Sequence, residues 1–300
     1  MRHILSLAEL TRDQIEEILS LGARLKRDLK AGKREPIFQH KVLGLLFEKP
    51  SLRTRVSFEA LMNQHGGASL YLGADVGWPS REPPRDFMPI LTSYLDVLVI
   101  RAKSHASVVE AAKFSQCPII NGLTDVSHPC QALADIMTVR EHAPKQGNVK
   151  VAYVGDANNV AVSLAEICSK LEIEFAIAAP PGYQFDAAFF AEVGLSPSVQ
   201  TADPAVALAD ADFIYTDVWT SMGQEAESAK RLKDFANYQV DERLFSYAKP
   251  NAKFLHCLPA RRGEEVSSGV IDSPRSLVIP QAENRLHAQK GLVAWLFNHQ

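Results

Sequence analysis

Apolar residues first recur at helical spacing, at Ile15, Ile18, Leu19, Leu21 and Leu25. That spacing lays one apolar stripe along a helix. Thr11 with Gln14 three residues on reads as a capping box at its start, and Ala31-Gly32 ends it. From Val42 the pattern changes to short apolar runs, at Val42–Phe47, Ser69–Leu72, Val97–Ile100 and Pro118–Ile120. Between them lie helical patterns near Val56–His65, Pro84–Tyr94, His105–Phe114 and Pro129–His142. Runs without polar alternation fit strands covered on both faces, and strands alternating with helices predict a parallel α/β sheet.

The second half repeats this logic after a polar, turn-rich stretch, His142–Asn148, which marks a boundary. Val149–Val154 reads as a buried strand that runs into Gly155-Asp156-Ala157-Asn158-Asn159 and then a helix to about Leu171. Strand, glycine loop and helix are the opening of a doubly wound unit. Further strands are predicted at Phe175–Ala178, Phe213–Thr216 and Phe254–Cys257, and a terminal helix at Glu283–Asn298. One segment breaks the alternation: Gly73–Pro84 is a long connection rich in glycine and proline, either functional or a plain surface excursion. The chain has 300 residues, which at ~150 residues per domain gives two domains.

Composition removes several classes. Thirty-two basic against 35 acidic residues leave a net charge of −3, without a basic tail or aromatic-basic stripe, so no nucleic-acid partner is expected. No apolar run approaches the ~18 residues of a membrane span. A charged amphipathic pattern follows the first residues where a signal peptide would have an apolar block. Cys117, Cys130, Cys168 and Cys257 are widely spaced and form no CxxC pair, as in thiols of a reducing compartment. A cytoplasmic protein is expected.

The candidate chemistry sits at predicted strand ends. Ser51-Leu52-Arg53-Thr54-Arg55 follows the first strand and leads into a helix, where free backbone N–H groups favour an anion. The hydroxyl groups of Ser51 and Thr54 and the forks of Arg53 and Arg55 suit a phosphate; a solvated basic turn with a serine cap is the plainer use of the same residues. Arg101 follows the third strand, and His128-Pro129-Cys130-Gln131 opens a helix. Singly these are an ion-pair partner and a helix cap; together with Ser51–Arg55 they make a cationic pocket for a small dianion with a carbonyl to polarise. In the second half Asp156, Asp217 and Cys257 fall at strand ends, where open α/β sheets bind ligands. Asn159 offers an amide and Asp217 a carboxylate for an ammonium. A turn residue and a buried thiol are the plainer readings of Asp217 and Cys257.

Five motifs occur in order: Phe47–Arg55, His128–Gln131 with Leu133-Ala134-Asp135, Asp217-Val218-Trp219-Thr220-Ser221-Met222-Gly223, His256-Cys257-Leu258-Pro259 and Gln281-Ala282-Glu283-Asn284-Arg285. The set resembles the ornithine carbamoyltransferases over essentially the whole chain. The first two motifs are shared by transcarbamoylases in general; the next two point to ornithine as acceptor. The resemblance implies two doubly wound parallel-sheet α/β domains. Residues 1–140, with the C-terminal helix 281–300 packing back on them, would bind carbamoyl phosphate; residues 141–280 would bind ornithine. Ser51, Leu52 through its backbone, Arg53, Thr54, Arg101, His128, Gln131 and Arg285 would hold carbamoyl phosphate. Asn159, Asp217, Ser221 and Met222 would hold the amino-acid end of ornithine, with Cys257 and Leu258 against the reacting amine. Arg101, His128, Asp217 and Cys257 are the implied catalytic set. No metal or organic cofactor is implied, and a homotrimer or a multiple of one is.

Two departures from the family stand out. Leu52 replaces a common threonine, losing a hydroxyl but keeping the amide. The 73–82 loop lacks the glutamine or histidine that relatives often place in a neighbouring subunit's site, leaving Trp78, Ser80 or Arg81 as substitutes. The expected reaction is carbamoyl transfer to L-ornithine in arginine metabolism, biosynthetic before catabolic. The alternatives are an N-acylated ornithine or putrescine as acceptor, a nucleotide-binding dehydrogenase built on Gly155–Asn159, which lacks the full GxGxxG, and a non-catalytic binding protein.

Overall fold

The computed structural model describes residues 2–144, 147–220 and 225–299. The chain divides into two compact units, Met1–Met137 with Glu283–Gln300, and Thr138–Ala282.

The first unit opens with α1 (Arg12–Lys30), whose capping box is present in both directions between Thr11 and Gln14. It continues through β1 (Val42–Phe47), α2 (Leu52–Gln64), β2 (Ala68–Leu72), α3 (Pro84–Ser93), β3 (Val97–Arg101), α4 (His105–Ala112), β4 (Ile119–Leu123) and into α5 (Pro129–His142). The sheet order is β2-β1-β3-β4 with every pairing parallel. The order reverses between β1 and β3. Residues near the N-terminus extend the sheet, with Ile4 bridged in parallel to Ile120.

One expectation needed correction. The pattern placed the second helix from Val56, yet α2 begins at Leu52, capped by the Ser51 side chain on the Thr54 N–H. The Ser51–Arg55 stretch is therefore the first helical turn itself. In the 73–84 connection Trp78 is buried and packs with Leu46, Met88 and Ile100, its ring 5.3 Å from that of Phe87. Of the other two residues noted in this loop, Ser80 and Arg81 are exposed.

The second unit holds β5 (Lys150–Val154), α6 (Asn159–Lys170), β6 (Glu174–Ala178), α7 (Ala187–Val193), β7 (Gln200–Thr201), α8 (Pro204–Leu208), β8 (Phe213–Thr216), α9 (Ser228–Asp234), α10 (Glu242–Phe245), β9 (Lys253–His256) and α11 (Ser268–Ile271). Its sheet order is β7-β6-β5-β8-β9, again parallel throughout, and reverses between β5 and β8. Both sheets are thus doubly wound, with ligand-ready crevices at the carboxyl ends of the strands flanking each reversal.

The last helix, α12 (Val278–Asn298), starts five residues before the expected Glu283. From Glu283 onward it packs on α1. A Cβ at Gly291 would collide with the Ile18 carbonyl oxygen, and one at Gly22 would lie 2.8 Å from the His287 carbonyl oxygen. The two glycines let the helices approach closely. Lys26 Nζ donates to Asn284 Oδ1 at 2.7 Å and Trp295 Nε1 to Glu17 Oε2 at 2.8 Å, fixing the register. Gly291→Ala should therefore push α12 off α1 and lower the unfolding free energy by about 1–3 kcal/mol. A denaturant midpoint unchanged from wild type would refute that seating.

Candidate active site

In the first unit the reversal brings the ends of β1 and β3 side by side, with Phe47 paired to Arg101. The chain leaves β1 and turns into α2, so Leu52, Arg53 and Thr54 occupy its first turn, where backbone N–H groups lack intrahelical acceptors. Leu52 is 76% exposed and Thr54 1%. The departure at position 52 thus concerns a side chain that points to solvent. Arg53 is half-buried, but Arg55 is not part of the cluster: it pairs with Glu59 at 2.9 Å and stacks on the Tyr71 ring at 3.9 Å.

Arg285, delivered by α12, is the centre of the cluster. Its Nη1 donates to Gln131 Oε1 at 2.6 Å and its Nη2 to Thr54 Oγ1 at 3.2 Å. The Gln289 amide, oriented to satisfy both its neighbours, accepts from Arg285 Nη2 and donates to Ser57 Oγ. His128 Nε2 lies 3.5 Å from Arg285 Nη1. A guanidinium has only protons to give, so Nε2 accepts and the imidazole proton sits on Nδ1. Burial, then Arg285 and Arg101, holds the His128 pKa well below its usual value, so the ring is neutral. Burial, then Arg285 and Arg53, lowers the Arg101 pKa to about 10. The shifts of Arg101 and His128 place both in the positive field of their arginine neighbours, which a dianion would relieve.

Sequence reasoning passed over the residue that delivers His128. The buried Asn121 of β4 donates through Nδ2 to the Leu5 and Ser127 carbonyl oxygens and to Thr124 Oγ1. It ties the 124–127 turn to the sheet one residue before His128. An Asn at a strand end before a Thr-Asp turn was its only signal.

In the second unit Gly155 leaves β5 at φ 147°, a conformation that favours glycine, and the Asn158 side chain caps α6. Asp217 follows β8 and Cys257 follows β9. Asp217 Oδ1 accepts from Cys257 Sγ at 3.0 Å, and its Oδ2 accepts from Asn158 Nδ2 at 3.0 Å. Asn158 is thus the neighbour that orients Asp217, while Asn159 is the first residue of α6 and half-buried. Asp156 accepts from Arg231 at 2.6 Å, and Arg231 also donates to the Trp219 carbonyl oxygen at 2.9 Å. Ser221 and Met222 lie outside the described residues.

Leu258 adopts φ 58°, uncommon for a side chain branched beyond Cβ. His256 holds it there: Nδ1 accepts from the Leu258 N–H at 2.9 Å, and Nε2 donates to the buried Glu265 at 3.1 Å. Asp217, His256 and Cys257 place ligand atoms within 4.8 Å of one another. Asp217 and Cys257 hydrogen-bond to each other while both ring nitrogens of His256 are engaged with the Leu258 N–H and Glu265, which makes the three a poor metal cage.

Two doubly wound units, one with an anion-ready cationic cluster and one with an oriented carboxylate beside a thiol, have the parts of a group-transfer enzyme. The chain matches two family profiles, "Aspartate/ornithine carbamoyltransferase, carbamoyl-P binding domain" over residues 2–141 and "Aspartate/ornithine carbamoyltransferase, Asp/Orn binding domain" over residues 147–296. It belongs to the aspartate/ornithine carbamoyltransferase family. Among its relatives, the ornithine carbamoyltransferase of Caldicellulosiruptor saccharolyticus is 48% identical over 99% of this chain and 98% of its own length. That of Bacillus subtilis is 48% identical over 97% and 92%. The solved ornithine carbamoyltransferase of Pyrococcus furiosus superposes with a TM-score of 0.93 at 46% identity, covering 98% of this chain and 96% of that one. The anabolic enzyme of Campylobacter jejuni does so at 0.93 and 32%, with full coverage of both.

The buried neutral His128 has a consequence for stability. Its pKa is lowered on folding from the usual 6.5, so below that pH the unfolded chain binds a proton that the folded chain refuses. Stability must fall as pH drops below about 6.5, by up to about 1.4 kcal/mol per pH unit for this one group. His3, His65 and His105 shift the same way and add to the slope. His128→Asn should flatten the decline between pH 7 and pH 5 by about one proton in denaturant titrations. An unchanged slope would mean that His128 is charged in the folded protein.

Proposed function

We propose that the protein transfers the carbamoyl group of carbamoyl phosphate to the δ-amine of L-ornithine, giving L-citrulline and phosphate. The observation that carries this reading is full-length identity of 45–48% to several ornithine carbamoyltransferases, together with the clusters around Arg285 and Asp217. In this reading the unit containing α2 binds carbamoyl phosphate through Ser51, the Leu52 amide, Arg53, Thr54, Arg101, His128, Gln131 and Arg285. The other unit binds ornithine through Asn159, Asp217, Ser221, Met222, Cys257 and Leu258.

Carbamoyl phosphate is dianionic, so arginine forks and the free N–H groups of a helix start match it. Positive charge beside the carbonyl oxygen stabilises the oxyanion as the amine adds. A free alkylamine keeps its proton to a pKa of ~10 and attacks only once that proton is lost. Asp217 holds the ammonium and orients it, and loss of the proton in a cationic, water-poor setting frees the nitrogen lone pair. The new C–N bond forms, the C–O bond to phosphate breaks, the attacking nitrogen gives up its surplus proton to the departing phosphate, and Arg53 stabilises the hydrogen phosphate dianion so formed. No covalent enzyme intermediate is needed; positioning and electrostatics carry the acceleration.

Three further readings belong here. The enzyme serves arginine biosynthesis, it works in the cytoplasm, and it assembles as a homotrimer or a multiple of one. Among the described residues no helix is long and apolar enough to cross a membrane. Val56, Leu70, Ile90 and Tyr94, all on the first unit, are large exposed hydrophobics of the kind that subunit contacts cover. Light scattering should give about three chain masses, and a monomer at assay concentration would remove the trimer.

The first assay is citrulline formation from carbamoyl phosphate and L-ornithine, beside N-acetylornithine, N-succinylornithine and putrescine. Activity confined to ornithine is expected. Asp217→Asn should cut kcat/KM for ornithine by about 10²-fold or more while leaving carbamoyl phosphate binding intact. Turnover of an acylated ornithine alone would overturn the acceptor assignment.

A further inference from the structure

Asp135 lies on α5 one turn beyond Gln131 and is fully buried. Its Oδ1 accepts from Gln131 Nε2 at 2.8 Å. The other end of the same amide, Oε1, accepts from Arg285 Nη1 at 2.6 Å. We infer that Asp135 is a positioning residue that fixes the polarity of the Gln131 amide and, through it, the aim and the available charge of Arg285. The inference rests on the reading of this cluster as the carbamoyl phosphate site.

A primary amide is nearly symmetric in shape, and only its neighbours decide which end is oxygen. Asp135 Oδ1 is an acceptor and takes the NH₂ end at 2.8 Å. The oxygen must then face α12, where Arg285 offers protons. Reversed, the amide would set N–H against N–H at the guanidinium and oxygen against oxygen at Asp135. Both contacts are repulsive and both are buried, so the reversed state is strongly disfavoured.

The arrangement also bears on where the balancing charge sits. The acceptors described on the Arg285 guanidinium, Gln131, Thr54, Gln289 and His128, are neutral. Neutral acceptors aim an arginine without cancelling its charge. A carboxylate in place of the Gln131 amide would make a charged pair with the guanidinium and draw on the field meant for an anionic ligand. Asp135 stands one amide further from the guanidinium. It orders Arg285 and leaves more of the positive field for the dianion.

The test uses the full-length protein and follows carbamoyl phosphate binding by calorimetry beside steady-state kinetics. Asp135→Asn removes the acceptor-only partner, so either amide orientation becomes possible at residue 131. The KM and the Kd for carbamoyl phosphate should rise about tenfold, the loss of one well-aimed charged hydrogen bond. The KM for ornithine should stay within about twofold and the melting temperature within a few degrees, since the volume is unchanged. The double variant D135N/Q131E separates aim from charge. The amide introduced at position 135 can donate to the carboxylate introduced at position 131, and that carboxylate can accept from Arg285. The hydrogen-bond chain is then rebuilt with a negative charge directly on the guanidinium. The melting temperature of the double variant should stay within a few degrees of wild type while carbamoyl phosphate binding stays weak. Wild-type carbamoyl phosphate affinity in the double variant would overturn the inference. So would wild-type affinity in D135N, or an equal rise in both KM values with a large loss of stability. If the wild-type protein itself fails to bind carbamoyl phosphate, the functional reading falls, and the inference with it.

Discussion

The arrangement around Arg285 depends on gathering positive charge in a buried place. Beyond the effect of burial, Arg285 and Arg53 lower the proton affinity of Arg101, and Arg285 and Arg101 lower that of His128. Such a cluster is unfavourable by itself, and the rest of the first unit holds it together. The parallel sheet reverses between β1 and β3 and so sets the start of α2 beside Arg101. Gly22 and Gly291 let α12 approach α1 closely enough to deliver Arg285. Asn121 clamps the turn before His128. Each of these is a packing or hydrogen-bonding feature that supports a charge arrangement the chain would otherwise avoid.

The second unit applies the same rule with the opposite sign. Asp217 accepts from a thiol and from an amide, both neutral, so its geometry is fixed and its charge is kept. Asp156, at the end of β5, shows the contrast. Arg231 contacts it directly at 2.6 Å and joins it to the Trp219 carbonyl oxygen. That pair fastens chain segments together and has little charge left over. Asp156 and Asp217 look equivalent in the sequence, as acids after apolar runs. The difference between a fastener and a ligand-facing group lies in which partners the fold brings to them.

This explains what was legible beforehand. The strand cores, the helix patterns of the first unit and the Ser51 start signal follow from local periodicity and capping, and these forces act within a few residues. The short helices α7 to α11 went unread because pieces of four to seven residues carry too little periodicity to distinguish from loops. The Arg285–Gln131 bond joins residues 154 apart, and no local rule reports it. Asn158 was not singled out, because its cap on α6 and its bond to Asp217, 59 residues on, depend on turn geometry and long-range folding that local spacing does not report. Arg55 was over-read for a related reason: on a helix, neighbours two apart point to different faces, so Arg53 and Arg55 cannot both face one ligand.

Leu52 and Leu258 show how far side-chain identity can drift where the backbone carries the contact. Leu52 is the first residue of a helix and its side chain is in solvent, so any residue that tolerates the helix start leaves the N–H in place. Leu258 is more constrained. Its left-handed backbone is unfavourable for leucine, and His256 stabilises it by accepting the Leu258 N–H while Glu265 anchors the far side of the ring. Backbone strain of this kind persists only where surrounding structure over-determines it. The invested hydrogen bonds point to the geometry around Cys257 as what is being held, with leucine tolerated there because the ring behind it leaves the chain little choice.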